Sequence, residues 1–147
     1  MRVDFYHLQA WPLEKALPPL LERAMAAGMR AVVLAASDDR VEALASLLWT
    51  YKPDSWLPHG SAKDGQAADQ PIWLSTQDEN PNAADLLVLT DGMASAQTGF
   101  QRCLDVFDGN DPEALAGARA RWKDAKTAGS ELHYWQQTDT GWQEKTV

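Results

Sequence analysis

The sequence has one thiol, no long apolar run and no excess of positive charge, and each shortage removes a class of protein. Cys103 is the only cysteine in 147 residues, which excludes a disulfide framework and any multi-thiolate metal site. No apolar stretch approaches the roughly 18 residues of a membrane span, and Ala31–Ala36 runs directly into Ser37-Asp38-Asp39. Met1–Tyr6 carries one cation with no apolar stretch behind it, so no secretory leader is expected and the cytoplasm is the natural compartment. Thirteen Lys and Arg against twenty-one Asp and Glu leave a net charge of −8. A field of that sign repels polyphosphate and argues against duplex nucleic acid as a direct partner. The three histidines, His7, His59 and His133, stand far apart and in no metal-ligand spacing, so no metal is expected.

What remains is a chain of ordinary globular proportions, 45% hydrophobic and 23% charged, whose length suits one domain over residues 1–147. Tryptophan is the excess: seven copies, more than the three Phe and three Tyr together. Several stand in polar contexts, and an indole removes much apolar area at little entropic cost, so the composition leans toward a contact-making protein.

Arg2–Leu8 reads as a strand. Leu13–Gly28 has apolar residues at helical spacing, with Pro18-Pro19 placing the start of the regular helix near Leu17. Arg30–Ala36 is apolar without alternation, as in a strand covered on both faces. Ser37-Asp38-Asp39 caps a helix ending around Tyr51, with Asp39 and Glu42 at capping-box spacing. Pro71–Ser75, Asp85–Thr90 and Leu104–Phe107 read as strands and Ala94–Cys103 as a short helix. Asp111-Pro112 opens a helix running to Gly129, and the tail reads as a hairpin. This order implies right-handed crossovers and an α/β fold: one doubly wound (Rossmann-like), mostly parallel sheet with helices on both faces and a C-terminal hairpin. Lys52–Gln70 alone lacks periodicity, a length usual for a functional loop.

A doubly wound sheet raises the question of nucleotides, and the phosphate loop is missing. The turn after the first strand, His7–Pro12, has no glycine, and the turn after the second offers two carboxylates where a phosphate would sit. No Gly-x-Gly-x-x-Gly or Gly-x4-Gly-Lys-Ser/Thr pattern occurs. Cys103 beside Leu104 reads as a small buried residue rather than a nucleophile. No catalytic constellation and no cofactor emerge, so a nucleotide- or small-molecule-binding enzyme stands as the alternative reading only.

The positive charge that exists is concentrated. Arg119–Lys126 puts four cations and one anion in eight residues. On a helix, Arg119, Lys123, Lys126, Trp122 and Leu115 share one arc about 100° wide, while Ala114, Ala118, Ala125 and Ala128 form the opposite face. The alanines suit close packing on a sheet, which turns the basic, aromatic arc to solvent. Two readings stand. One is a solvated face complementing the helix dipole. The other is a site for a ligand with both negative charge and an apolar group, such as an acidic peptide ending in an aromatic residue. Single-stranded nucleic acid would also suit cations with a stacking ring, but the net charge opposes it. A second cluster, Trp49 to His59, has two indoles, a Tyr and two Pro around a helix end. Trp49 reads as core or as an anchor; Trp56 is harder to bury and resembles an interface anchor.

With these segments the sequence resembles the chi subunit family of bacterial DNA polymerase III. The matching features are Phe5-Tyr6, Trp49–Pro53, Trp56-x-Pro58-His59, Cys103–Asp108, and Arg121-Trp122-Lys123 followed by Ala128-Gly129. The resemblance spans essentially the whole chain. It implies a non-catalytic connector that holds the acidic C-terminal tail of single-stranded-DNA-binding protein and joins the psi subunit, and through it the clamp loader, touching DNA only indirectly. By the same resemblance the tail site falls on Arg119, Trp122, Lys123 and Lys126 with Leu115 close by. The psi surface falls on Trp49, Pro53 and Trp56.

Overall fold

The computed structural model describes residues 1–51 and 57–146. Among these residues eight strands and three α-helices, with a short 3-10 turn at Ala67–Asp69, follow as β1 (Arg2–Leu8), α1 (Leu13–Ala26), β2 (Ala31–Leu34), α2 (Asp38–Thr50), β3 (Gly60–Ser61), β4 (Ile72–Ser75), β5 (Leu86–Leu89), β6 (Arg102–Asp108), α3 (Pro112–Thr127), β7 (Glu131–Thr138) and β8 (Gly141–Lys145). One sheet runs β3-β4-β2-β5-β6-β1-β7-β8, parallel throughout except for the β7–β8 hairpin. This is the doubly wound α/β sheet expected from the element order. The hairpin is part of it: β7 pairs with β1 in parallel, Phe5 opposite Tyr134.

Alternation along the strands divides the core in two. Tyr6, Val33 and Leu74 face α1 and α2, whose Leu17, Leu21, Leu44 and Leu48 are buried against them. Phe5, Val32 and Trp73 face the other way, toward Ala118 of α3. Among the described residues α3 is the single α-helix on that second face; Ala67, Ala84, Met93 and Phe100, from a short 3-10 turn and irregular segments, cover the rest.

Three boundaries depart from the sequence reading. Helix α1 begins at Leu13 rather than Leu17: the Pro12 carbonyl takes the amides of Lys15 and Ala16, 3.1 Å each. Leu13 and Ala16 pack on the core, and Glu14 and Lys15, whose carbonyls lose donors to Pro18 and Pro19, are exposed to water. The cap of α2 is Ser37, whose Oγ accepts the Arg40 N–H at 3.2 Å, in place of a box built on Asp39. Finally, Ala94–Cys103 forms no helix. Asp78 holds this stretch open by accepting from Ser95 Oγ (2.5 Å) and the Ala96 N–H (2.8 Å), while β6 takes over at Arg102.

Adjacent strands β1 and β6 send their chains to opposite faces, and at their carboxyl ends lies a crevice of about 750 Å³, the usual ligand position of such sheets. Arg40 closes one side by pairing with Asp91 (3.1 Å) and Glu14 (3.2 Å). Asp91 takes a left-handed backbone (φ 54°), which also aims its carboxylate at the Ala36 N–H, 3.1 Å away. The turn into α3 passes over His7 so closely that a Cβ at Gly109 would overlap the imidazole.

Candidate protein-binding site

Helix α3 is set by its start. Asp111 caps it, accepting the Glu113 N–H at 3.0 Å, with Pro112 in the first turn. Its inward stripe is Leu115, Ala118, Trp122 and Ala125, which pack on the core of the α3 face. This corrects the helical-wheel reading in one respect. Trp122 and Leu115 are half-buried rather than turned to solvent, and of the alanines expected inside only Ala118 is buried while Ala128 is exposed. The reason is aromatic packing: the Trp122 ring meets Phe5 at 5.2 Å and Tyr134 at 5.8 Å, both edge-to-face. Such contacts add to the area an indole buries and rotate the helix toward the sheet.

The cations separate into two kinds. Arg121 turns inward, its side chain 16% exposed, and grips the buried carboxylate of Asp105 through Nε (2.6 Å) and Nη2 (3.1 Å). Burial pushes the Asp105 carboxyl up and the Arg121 guanidinium only partly offsets it. Arg119, Lys123 and Lys126 are exposed, and among the described residues their side chains form no hydrogen bond or ion pair. Three free cations thus stand along the helix beside a half-buried indole, on a chain of net charge −8.

Two residues join this site that the sequence reading left out. His7 Nδ1 lies 2.5 Å from the Tyr134 hydroxyl, and both rings contact Phe107. Burial holds the His7 pKa down, and nearby Arg119 lowers it further while Asp108 pulls it up. Burial also raises the Tyr134 pKa, with Arg119 acting against the rise. Arg119 therefore lies within electrostatic reach of a polar–aromatic floor built by β1 and β7. The sequence offered only strand alternation as a signal; that Phe5 and Tyr134 are neighbours depends on a pairing 129 positions apart.

At the other end of the sheet, Trp49 sits in the last turn of α2 and is 58% exposed. Its ring lies 4.7 Å from that of His59, which is itself buried. Trp49 is thus not core. Pro53 and Trp56, the other two residues of that cluster, lie outside the described residues.

Among the described residues no group of three or more His, Cys, Asp or Glu could hold a metal ion, and no helix is long and apolar enough to cross a membrane. Cys103 is buried, and burial raises its thiol pKa far above the usual range. The crevice at β1 and β6 has a backbone turn suited to an anion, but a side chain of the chain fills it. Gln137 Oε1 accepts from the amides of Gln9, Ala10 and Trp11 at 3.0, 2.9 and 2.8 Å.

Comparison with known proteins places these features in a family context. The family described as DNA polymerase III chi subunit, HolC, matches residues 1–133. A relative from Rickettsia prowazekii (strain Madrid E), named "Probable DNA polymerase III subunit chi", is 36% identical over 86 residues. That alignment covers 58% of this chain and 52% of the relative, so the chain spans about half the length of the relative it matches.

Proposed function

Because the chain belongs to the DNA polymerase III chi subunit family, we propose that it is an accessory subunit of that polymerase in DNA replication, without catalysis of its own. In this reading it links the clamp loader, through the psi subunit, to the acidic C-terminal tail of single-stranded-DNA-binding protein. The observation that carries the tail assignment is the exposed row of Arg119, Lys123 and Lys126, whose side chains have no hydrogen-bond or ion-pair partner among the described residues, beside the half-buried ring of Trp122. Arg119 provides a planar fork for a terminal carboxylate, the lysines provide charge for the acidic residues upstream, and Trp122 with Leu115 receives the terminal aromatic side chain. DNA is reached only through the protein that bears the tail.

Calorimetric titration with a peptide ending in Asp-Ile-Pro-Phe tests this. Micromolar, salt-weakened binding is expected, since the interface is small and held by exposed charges. The double variant Arg119→Ala/Lys123→Ala should lose it; unchanged affinity would refute the site. The psi surface rests on the exposed Trp49, together with Pro53 and Trp56. Capture of psi by the wild type and not by Trp49→Ala/Trp56→Ala is the expected result.

One observation favours the enzymatic alternative, the crevice at the carboxyl ends of β1 and β6. Gln137 occupies its backbone donors, and Glu14, Asp91, Asp108, Asp111 and Glu113 line it against Arg40 and Arg121, both already paired with carboxylates. Such a lining opposes phosphate. A thermal shift with nucleotides would revive this reading, because a ligand at a hundred times its dissociation constant adds about 2.7 kcal/mol.

A further inference from the structure

The sheet face opposite α3 carries a second aromatic site. Helix α1 covers this face as far as β6, and among the described residues no helix lies beyond it over β1, β7 and β8. Between α1 and the hairpin is a groove of about 280 Å³. Tyr6 is buried at its base; Trp135 stacks near-parallel on that ring at 6.3 Å and Trp142 meets it edge-on at 4.9 Å. Both indoles are half-buried, and both lie past residues 1–133, the span that matches the family.

The charged side chains lining this groove are Arg23 and Arg102. Arg23, in the last turn of α1, is exposed, and its side chain makes no hydrogen bond or ion pair among the described residues. Arg102 gives its Nε to the buried carboxylate of Asp4 at 2.8 Å, and among the described residues neither terminal nitrogen has a hydrogen-bond partner. Asp4 also holds Trp135 Nε1 (2.9 Å) and Arg2 (3.0 Å), which fixes the Trp135 ring and the Arg102 guanidinium in place. A preformed apolar slot edged by two guanidiniums, on a body of net charge −8, is complementary to an apolar group joined to an anion.

We propose that this groove binds the free C-terminal end of a partner polypeptide, its last side chain apolar and set against Trp142, its carboxylate on Arg23 and Arg102. The volume holds one large side chain rather than a run of stacked bases. A polynucleotide would also carry its further phosphates past Glu131 and Glu144, which flank His133 on this same face of the hairpin. The site is independent of the α3 site, on the opposite face of the sheet.

Nuclear magnetic resonance of the indole N–H groups of the full chain tests the proposal. The probes are acetyl-Ala-Ala-Phe with a free carboxylate, the same peptide as its C-terminal amide, and an eight-residue oligothymidylate. The free-carboxylate peptide should move the Trp142 signal saturably, and the amide should bind at least tenfold more weakly. Arg23→Ala, at an exposed position whose side chain has no hydrogen-bond or ion-pair partner to lose among the described residues, should weaken the Trp142 response at least fivefold while any Trp122 response stays as in the wild type. A still Trp142 signal, equal binding of acid and amide, no effect of Arg23→Ala, or a stronger response to the oligothymidylate would each overturn it.

Discussion

Gln137 and Trp11 are 126 positions apart in the chain, yet the side-chain carbonyl of the first lies 2.8 Å from the backbone nitrogen of the second. The same oxygen takes the amides of Gln9 and Ala10, so one buried side chain from the hairpin closes the turn where a doubly wound nucleotide-binding sheet would hold phosphate. A neutral amide oxygen can replace an anion there because three aligned N–H dipoles need only an acceptor. Gln137→Ala leaves those donors without it. Since unsatisfied, partly buried donors cost about 1–3 kcal/mol in total stability, urea denaturation should show a lowered midpoint with an unchanged slope.

The two kinds of arginine on α3 should separate cleanly. Arg121→Ala strands the Asp105 carboxylate, 2% exposed, and breaking a buried pair from one side costs about 3 kcal/mol or more. Arg119→Ala touches nothing structural and should stay within about 0.5 kcal/mol of wild type while weakening the acidic peptide. Thermal unfolding and peptide titration on the same two variants check both halves. Equal destabilisation by both would contradict the division.

Trp122 should behave as floor and contact at once. Trp122→Tyr keeps a ring against Phe5 and Tyr134 and should retain most stability and most peptide binding. Trp122→Ala opens a gap under α3 and should cost about 2–3 kcal/mol, less than a fully buried aromatic because the indole is half-exposed. Calorimetric unfolding gives the first number, peptide titration the second.

The order of the other strands and helices was legible because each carries its own periodicity or cap: the apolar run of β2, Ser37 and Asp111 before α2 and α3, the Asp139-Thr140 turn between β7 and β8. Strand β3 was not, being two residues, Gly60–Ser61, inside the stretch Lys52–Gln70 that reads as a loop. Local signals failed where tertiary contacts decide. The prolines of α1 argue for a late start, and only the burial of Leu13 and Ala16 overrides them. Asp78, nineteen positions before Gln97, keeps residues 94–100 from coiling. On α3 the wheel separated Arg119, Lys123 and Lys126 from Ala118 correctly. It could not rank Arg121 against Arg119, because the buried partner Asp105 belongs to another element, nor place Trp122 at the seam without knowing that Tyr134 lies across from Phe5.

Cys103 should be chemically silent in the folded chain. Burial dominates its raised pKa, with Asp105 and Asp4 adding to the rise, so little thiolate forms at neutral pH. A thiol-specific chromogenic reagent should react stoichiometrically in denaturant and negligibly without it. Rapid labelling of the native protein would contradict this burial.

The hairpin should tighten on mild acidification. His133 sits between Glu131 and Glu144, each ring nitrogen 2.9 Å from a carboxylate oxygen. The hydrogen bonds to Glu131 first and Glu144 second raise its pKa above the ordinary value, against a small desolvation effect. A histidine whose folded pKa is raised contributes stability that is fully present below its unfolded value, about 6.5, and fades as pH rises through the folded pKa. The site is close to solvent, so salt should weaken the effect. Proton resonance of the His133 ring should titrate above about 6.5. The stability difference between wild type and His133→Gln should be larger at pH 6 than at pH 8.5. A difference independent of pH would show that His133 acts there as a neutral ring.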